Sequence, residues 1–137
     1  MTVSGAVLHN VHGTQDGTNV MNCAQPKQGE RQAVDTKDMK PGIVSLSCEA
    51  GHPWMNAFLY VARNPVAAIT EKAGEFVIKD VPPGTYTIKM WHEGVQLKKI
   101  NKTLQTYEYE APYELSQQVT VTADAEATVN FELTLRK

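Results

Sequence analysis

One short stretch of the chain carries three side chains that copper prefers as ligands. They are the thiol of Cys48, the imidazole of His52 and the thioether of Met55. Thiolate and thioether are soft ligands and imidazole is borderline, so the set suits both Cu(I) and Cu(II). We therefore expect a metal site in this stretch. The alternative is that Cys48 and Met55 are core residues and that His52 faces solvent.

The segments on either side of this stretch predict that strands hold it at both ends. Pro41-Gly42 indicates a turn, and alternate residues of 43–48 are apolar, which predicts a strand that ends with Cys48 pointing inward. Residues 56–62 are strand-like again. The ligand-bearing stretch is thus predicted to be a loop between two neighbouring strands, which can fix the geometry of a bound metal.

This arrangement resembles the C-terminal pattern of the cupredoxin, or blue-copper, family. That pattern is Pro-Gly, a strand ending in Cys, and then His and Met in one loop before the last strand; here it reads Pro41-Gly42, Cys48, His52 and Met55. The family takes a second histidine from an upstream His-Asn pair, which is His9-Asn10 here. The resemblance implies one type 1-like copper ion per chain, held by two histidines, a cysteine and a weak axial methionine, for electron transfer.

The upstream histidines lie in a strand that we expect over residues 6–12. His9 is the candidate ligand, and His12, on the opposite strand face, is a reserve. The alternative is that both are surface or hydrogen-bonded histidines. In the copper interpretation Asn10 braces the site and Trp54 screens it. Two polar stretches follow, and we expect a loop at 13–19 and irregular structure at 23–42.

The second half of the chain has a different pattern. Strands are predicted at 66–70, 75–79, 85–91, 118–122 and 128–135, the last two as a closing hairpin. The run from Thr70 through Val81-Pro82-Pro83-Gly84 to Ile88 resembles the carboxypeptidase regulatory-like domain, a transthyretin-like β-sandwich. That resemblance implies a structural, non-catalytic role for this half.

Together these patterns predict an all-β chain of antiparallel β-sandwiches. Residues 1–62 would be a partial cupredoxin-like Greek key and residues 63–137 the transthyretin-like sandwich. A cupredoxin has several strands before its first histidine ligand, and this sequence has only eight residues there. Three explanations are open: the protein begins earlier, another chain supplies the missing strands, or the remaining strands are rearranged and hold no copper. In the connection over 95–118, Leu97, Ile100 and Leu104 recur at helical spacing, which predicts one or two helical turns.

Composition excludes several classes of function. The 137 residues have a net charge of −2 with scattered lysines and arginines, so no nucleic-acid-binding surface is expected. No apolar run is long enough to span a membrane. The two cysteines, Cys23 and Cys48, are too few for a disulfide framework, but one bridge between them would compete with copper.

Two functions follow from the sequence. The leading hypothesis is a copper-binding electron-transfer protein or subunit of an exported redox system, periplasmic or extracellular, that works with a protein redox partner. The alternative is a non-catalytic β-sandwich accessory subunit that binds a larger assembly and holds no metal. An enzyme is not expected, since the sequence has no nucleophile elbow, His-Glu-x-x-His motif or phosphate-binding loop.

Overall fold

The computed structural model describes residues 7–25, 27–63, 66–101 and 106–136, and within them the regular structure is entirely β. The strands are β1 (His9–Gln15), β2 (Thr18–Gln25), β3 (Gly42–Cys48), β4 (Asn56–Val61), β5 (Gly84–His92), β6 (Leu97–Asn101), β7 (Thr106–Tyr109) and β8 (Tyr113–Val121). The antiparallel sheets confirm the predicted all-β class. None of the described residues form a helix long and apolar enough to cross a membrane.

The chain divides into two compact units. One comprises residues 1–65 and 100–107, and the other residues 66–99 and 108–137. The first unit contains a four-stranded sheet in the order β2-β1-β3-β4. The second unit contains the two-stranded β5–β8 sheet. A further two-stranded sheet is formed by β6 and β7.

β1 and β2 form a hairpin that the sequence interpretation missed. Its turn is Asp16-Gly17, with φ angles of 50° and 75°, as a type I′ turn requires. The loop predicted over 13–19 is therefore wrong, because β1 runs on to Gln15 and β2 begins at Thr18. Gly13 serves close packing here: a Cβ at this position would lie 3.2 Å from side-chain atoms of Met21 and Leu46.

The segment 49–55 between β3 and β4 is called the ligand loop, and the predicted strands on both sides of it are confirmed. β3 pairs with β1 on one side and with β4 on the other, and both pairings are antiparallel. The sheet buries one face. Its core consists of Met21, Cys23, Met39 and the fully buried Val44, with Val11, Val20, Val34, Leu46 and Val61 packed against them.

In the second unit, β5 and β8 pair from Gly84↔Val121 to His92↔Tyr113. Of the described residues, 66–83 and 122–136 form no strand, so the strands predicted at 66–70, 75–79 and 128–135 and the closing hairpin are wrong. The helical turns are also wrong over the β6 segment, where Leu97 and Ile100 are 46% and 51% exposed and form no buried helical face. Leu104 lies outside the described residues.

Side chains, rather than a strand ladder, fasten the C-terminal segment. The backbone N–H of Arg136 donates to the Tyr113 hydroxyl at 3.0 Å, and its guanidinium lies 4.3 Å from the centre of the Tyr113 ring. The same guanidinium donates to the Ala111 carbonyl at 2.6 Å. The Tyr113 hydroxyl in turn donates to Glu110. This bond is the main reason that the pKa of Glu110 lies below its ordinary value.

Candidate metal centre

Strand register brings the first two predicted ligands together. Cys48, the last residue of β3, follows Val44 and Leu46 on the core face of the sheet. It pairs with Val11 of β1. His9 precedes Val11 by two positions, so it lies on the same face, one step beyond Cys48. Two residues far apart in sequence thereby become neighbours at the end of the sheet.

The loop after β3 brings His52, the third predicted ligand, next to Cys48. The backbone N–H of Cys48 donates to the Met55 carbonyl at 3.1 Å, and the N–H of Met55 donates to the His52 carbonyl at 2.9 Å. A left-handed Gly51, with φ of 82°, precedes His52 and provides the turn. These contacts close the loop, and the imidazole of His52 comes to lie beside the Cys48 thiol.

The three side chains have the spacing of a metal site. The Cys48 sulfur lies 3.7 Å from Nδ1 of His9 and 3.4 Å from Nδ1 of His52, and the candidate ligand atoms all lie within 4.8 Å of one another. A thiolate at about 2.3 Å and an imidazole nitrogen at about 2.0 Å from one metal ion are roughly 3.5–3.7 Å apart at tetrahedral or trigonal angles. His9, Cys48 and His52 therefore fit a single metal ion.

Met55, the fourth predicted ligand, ends the same loop. Its backbone is fixed by the two hydrogen bonds to Cys48 and His52. The residue is 40% exposed. The structure thus places Met55 beside the cluster of three, while coordination by its thioether stays a prediction.

Trp54 contacts His52, one of the candidate ligands. The ring centres of Trp54 and His52 are 5.5 Å apart, and the indole is 62% exposed. The His52 ring also lies 5.1 Å from the ring of His9. His52 is therefore packed between an exposed aromatic ring and the other histidine, which restricts its orientation.

A hydrogen-bonded group on the opposite face of the sheet was not expected from sequence. Glu49 contacts Nδ1 of His12 at 2.7 Å and accepts from the Asn10 amide at 3.4 Å. The N–H of Glu49 also donates to the Asn10 carbonyl at 2.9 Å. Strand alternation was the available signal, since Glu49 must point away from Cys48. His12 is thus paired with Glu49 and is not part of the cluster, and Asn10 ties the residue after Cys48 to β1.

The two cysteines are free. Val11 pairs with Cys23 on one side and with Cys48 on the other. The two Cα atoms are therefore separated by two strand spacings, roughly 10 Å, beyond the reach of a disulfide bond. The bridge that would have competed with a metal is not formed, and the Cys48 thiol remains available.

No protein-family model, curated protein or solved structure matches the chain.

Proposed function

We propose that the chain is a copper-binding electron-transfer protein. The observation that carries this proposal is the position of the Cys48 sulfur, 3.4 Å from Nδ1 of His52 and 3.7 Å from Nδ1 of His9. Two imidazoles and one thiolate around a common centre are the donors of a blue-copper electron-transfer site. The resemblance of the ligand loop to the cupredoxin pattern supports the same conclusion.

The donor set favours copper over zinc. A structural zinc site is closed by four cysteine or histidine ligands, whereas the cluster in the described residues offers three such side chains. Met55, which is joined to Cys48 and His52 through its backbone, would supply the fourth donor through its thioether, a soft ligand that suits copper as a weak axial partner. With Met55 in that position no coordination site stays open for a substrate, which favours an electron carrier over an enzyme.

Copper would supply one-electron exchange between Cu(II) and Cu(I). The chain's own residues keep the ligands in place during that exchange. Cys48 is held by the β1–β3 pairing and by the Met55 carbonyl, and Glu49 is anchored on Asn10. A site held this firmly changes little between oxidation states, so electron exchange is fast. Trp54, exposed and in contact with His52, is where we expect a protein redox partner to dock.

The cellular setting follows from the resemblance alone. A cupredoxin-like carrier belongs to an exported redox system, so we propose a periplasmic or extracellular location.

The test is metal analysis of the purified protein, followed by absorption and EPR spectra after one equivalent of Cu(II). We expect one copper per chain, an intense visible thiolate-to-copper band and narrow copper hyperfine splitting. Cys48→Ser should lose the band. Cys23→Ser is the matched control, because Cys23 is buried two strands away from Cys48, and it should keep the band. A wild-type protein that binds no copper, or binds it without the band, would contradict the proposal.

A second candidate, the metal-free accessory subunit, is favoured by one feature of the sheet. β4 (Asn56–Val61) is an edge of the four-stranded order, carries no charged residue and has five of its six residues exposed. Such an edge is suited to pairing with a strand of another protein. This function predicts no stoichiometric metal, so the copper titration separates the two candidates.

A further inference from the structure

Gln25 is a buried polar residue with an unmet hydrogen-bonding requirement. It is the last residue of β2 and is only 3% exposed. Its side-chain Nε2 is buried and has no hydrogen-bond partner among the described residues. An amide that loses its contacts with water without gaining a partner is destabilising. An unpartnered buried amide of this kind invites a functional explanation.

The sheet register places this amide next to the candidate metal centre. Gln25 is the direct cross-strand partner of His9. Side chains of directly opposed residues point to the same face, with Cβ atoms about 4.5–5.5 Å apart. Gln25 therefore shares the face that carries His9 and Cys48, and it is the immediate neighbour of a proposed ligand.

The orientation of the His9 ring indicates which of its nitrogen atoms can form a hydrogen bond with Gln25. Nδ1 is the atom of both His9 and His52 that faces the Cys48 sulfur. A metal bound through Nδ1 leaves Nε2–H as a donor on the far side of each ring. Histidine ligands generally donate that second N–H to an oxygen acceptor, which fixes the ring and its tautomer.

We propose that Gln25 is the positioning residue for His9 and that its amide oxygen accepts a hydrogen bond from His9 Nε2–H when the metal is bound. This inference rests on the proposed function. A half-turn of the terminal amide exchanges its oxygen and nitrogen, so either atom can be presented to the ring. A metal bound at Nδ1 would keep the proton on Nε2 of His9, where the amide oxygen of Gln25 would accept it.

A second buried glutamine in the same sheet shows the contrast. Gln15, at the other end of β1, is 6% exposed, and both ends of its amide are used. Its Nε2 donates to the Lys40 carbonyl at 2.7 Å, and its Oε1 accepts from the Lys40 N–H at 2.9 Å. The glutamine remote from the cluster is thus satisfied by the fold, whereas the one beside His9 is not. Gln15 is therefore the matched control.

The experiment compares Gln25→Leu, Gln25→Glu and Gln15→Leu. Three quantities are measured: thermal unfolding of the metal-free protein, Cu(I) affinity by chelator competition, and solvent exchange of the His9 Nε2–H in the ¹⁵N-histidine-labelled Cu(I) protein. We expect Gln25→Leu to be at least as stable as wild type without metal, since it removes the unpartnered amide. Its Cu(I) affinity should fall about 10–100-fold, and its His9 N–H should exchange faster.

Gln25→Glu supplies an acceptor of the same length and should restore the slow exchange. Gln15→Leu should show the reverse pattern, with lower stability of the metal-free protein and unchanged copper affinity. Wild-type affinity and exchange in Gln25→Leu would overturn the inference while leaving the proposed function standing. A lower Cu(I) affinity in Gln25→Leu with unchanged exchange of the His9 N–H would show that Gln25 acts on the site by another route, and would also overturn it. A wild-type protein that binds no copper would overturn the proposed function, and this inference with it.

Discussion

The N–H of Cys48 donates to the carbonyl oxygen of Met55 at 3.1 Å, so the residue before the ligand loop and the last residue of the loop are joined through their backbones. This bond does not depend on the side chain of Met55. A substitution at Met55 can therefore remove the thioether and leave the loop closed. Coordination by Met55 is thus testable apart from the shape of the loop.

Met55→Leu is expected to keep copper and to raise its reduction potential. The axial donor stabilises Cu(II) more than Cu(I), so its removal favours the reduced state. Met39→Leu is the control, because Met39 is 8% exposed and belongs to the hydrophobic core. That variant should lose less than about 1.5 kcal/mol of stability and keep the wild-type potential. Voltammetry of the three proteins measures this, and equal potentials would show that Met55 is not a ligand.

Both thiols should be chemically free but unequally accessible. Cys23 is 8% exposed and Cys48 is partly buried at the sheet end. Alkylation of the native, metal-free protein without reductant should therefore label Cys48 first, and unfolding should expose Cys23. One equivalent of copper should protect Cys48. Peptide mass spectrometry identifies the labelled residue, and a protein that resists alkylation even when unfolded would reveal the disulfide that the strand register excludes.

Gly94→Ala should destabilise the protein strongly. A Cβ at Gly94 would collide with the backbone carbonyl oxygen of Glu110, which cannot move aside as the end of a side chain can. We expect a loss of about 1–3 kcal/mol. Gly13→Ala meets only side-chain atoms at 3.2 Å, and it lowers the backbone entropy of the unfolded chain, so its loss should be smaller. Urea unfolding measures the free energy of unfolding of both variants. Equal losses of stability would contradict the expected difference between the two positions.

The free energy of unfolding should decrease at acidic pH because Glu110 becomes protonated. The hydrogen bond from Tyr113 lowers the pKa of Glu110 below its ordinary value of 4.5, against the opposing effect of burial. The unfolded chain therefore takes up this proton first as pH falls. The contribution of Glu110 is complete above the unfolded pKa and is lost as pH falls through the lower folded pKa.

Tyr113→Phe should reduce this pH dependence because it removes the hydroxyl that lowers the pKa of Glu110. Tyr86→Phe is the matched control: its hydroxyl donates to the Pro82 carbonyl at 2.8 Å, a group that does not titrate. The measurement is the thermal midpoint from neutral pH down to about pH 3. Tyr113→Phe should give a flatter curve than wild type, and Tyr86→Phe a parallel one. A parallel curve for Tyr113→Phe would show that Glu110 does not control acid stability.

The ligand loop was predictable because strong local patterns bound it on both sides. Alternation in β3 fixes the direction of Cys48, and β4 follows directly after Met55. The nearness of His9 to Cys48 was expected only from the cupredoxin resemblance. Its physical cause is the β1–β3 register, and no local pattern contains the register of strands that are distant in sequence.

The residues that sequence reasoning missed belong to a polar strand. β2 alternates buried Met21, Cys23 and Gln25 with exposed neighbours, but its polar composition concealed the pattern. The Asp16-Gly17 turn was the available signal for the hairpin. Without β2, neither the separation of the cysteines nor the pairing of Gln25 with His9 could be foreseen.

The errors in the second half have the opposite origin. Residues 75–79 and 128–135 alternate apolar and polar side chains as strands do, yet they form no ladder among the described residues. Alternation of apolar and polar residues indicates which side chains are suited to burial. A strand also requires hydrogen bonds to the backbone of a neighbouring strand, which the alternation does not indicate. For the C-terminal segment the fixing contacts come from Arg136 with Tyr113 and Ala111, which no periodicity encodes.

X-ray absorption at the copper edge of the protein loaded with one equivalent of copper tests the central claim most directly. The account predicts one short copper–sulfur bond from Cys48 and two imidazole nitrogens from His9 and His52, with the sulfur scatterer lost in Cys48→Ser. Copper surrounded only by nitrogen and oxygen in the wild-type protein would contradict it.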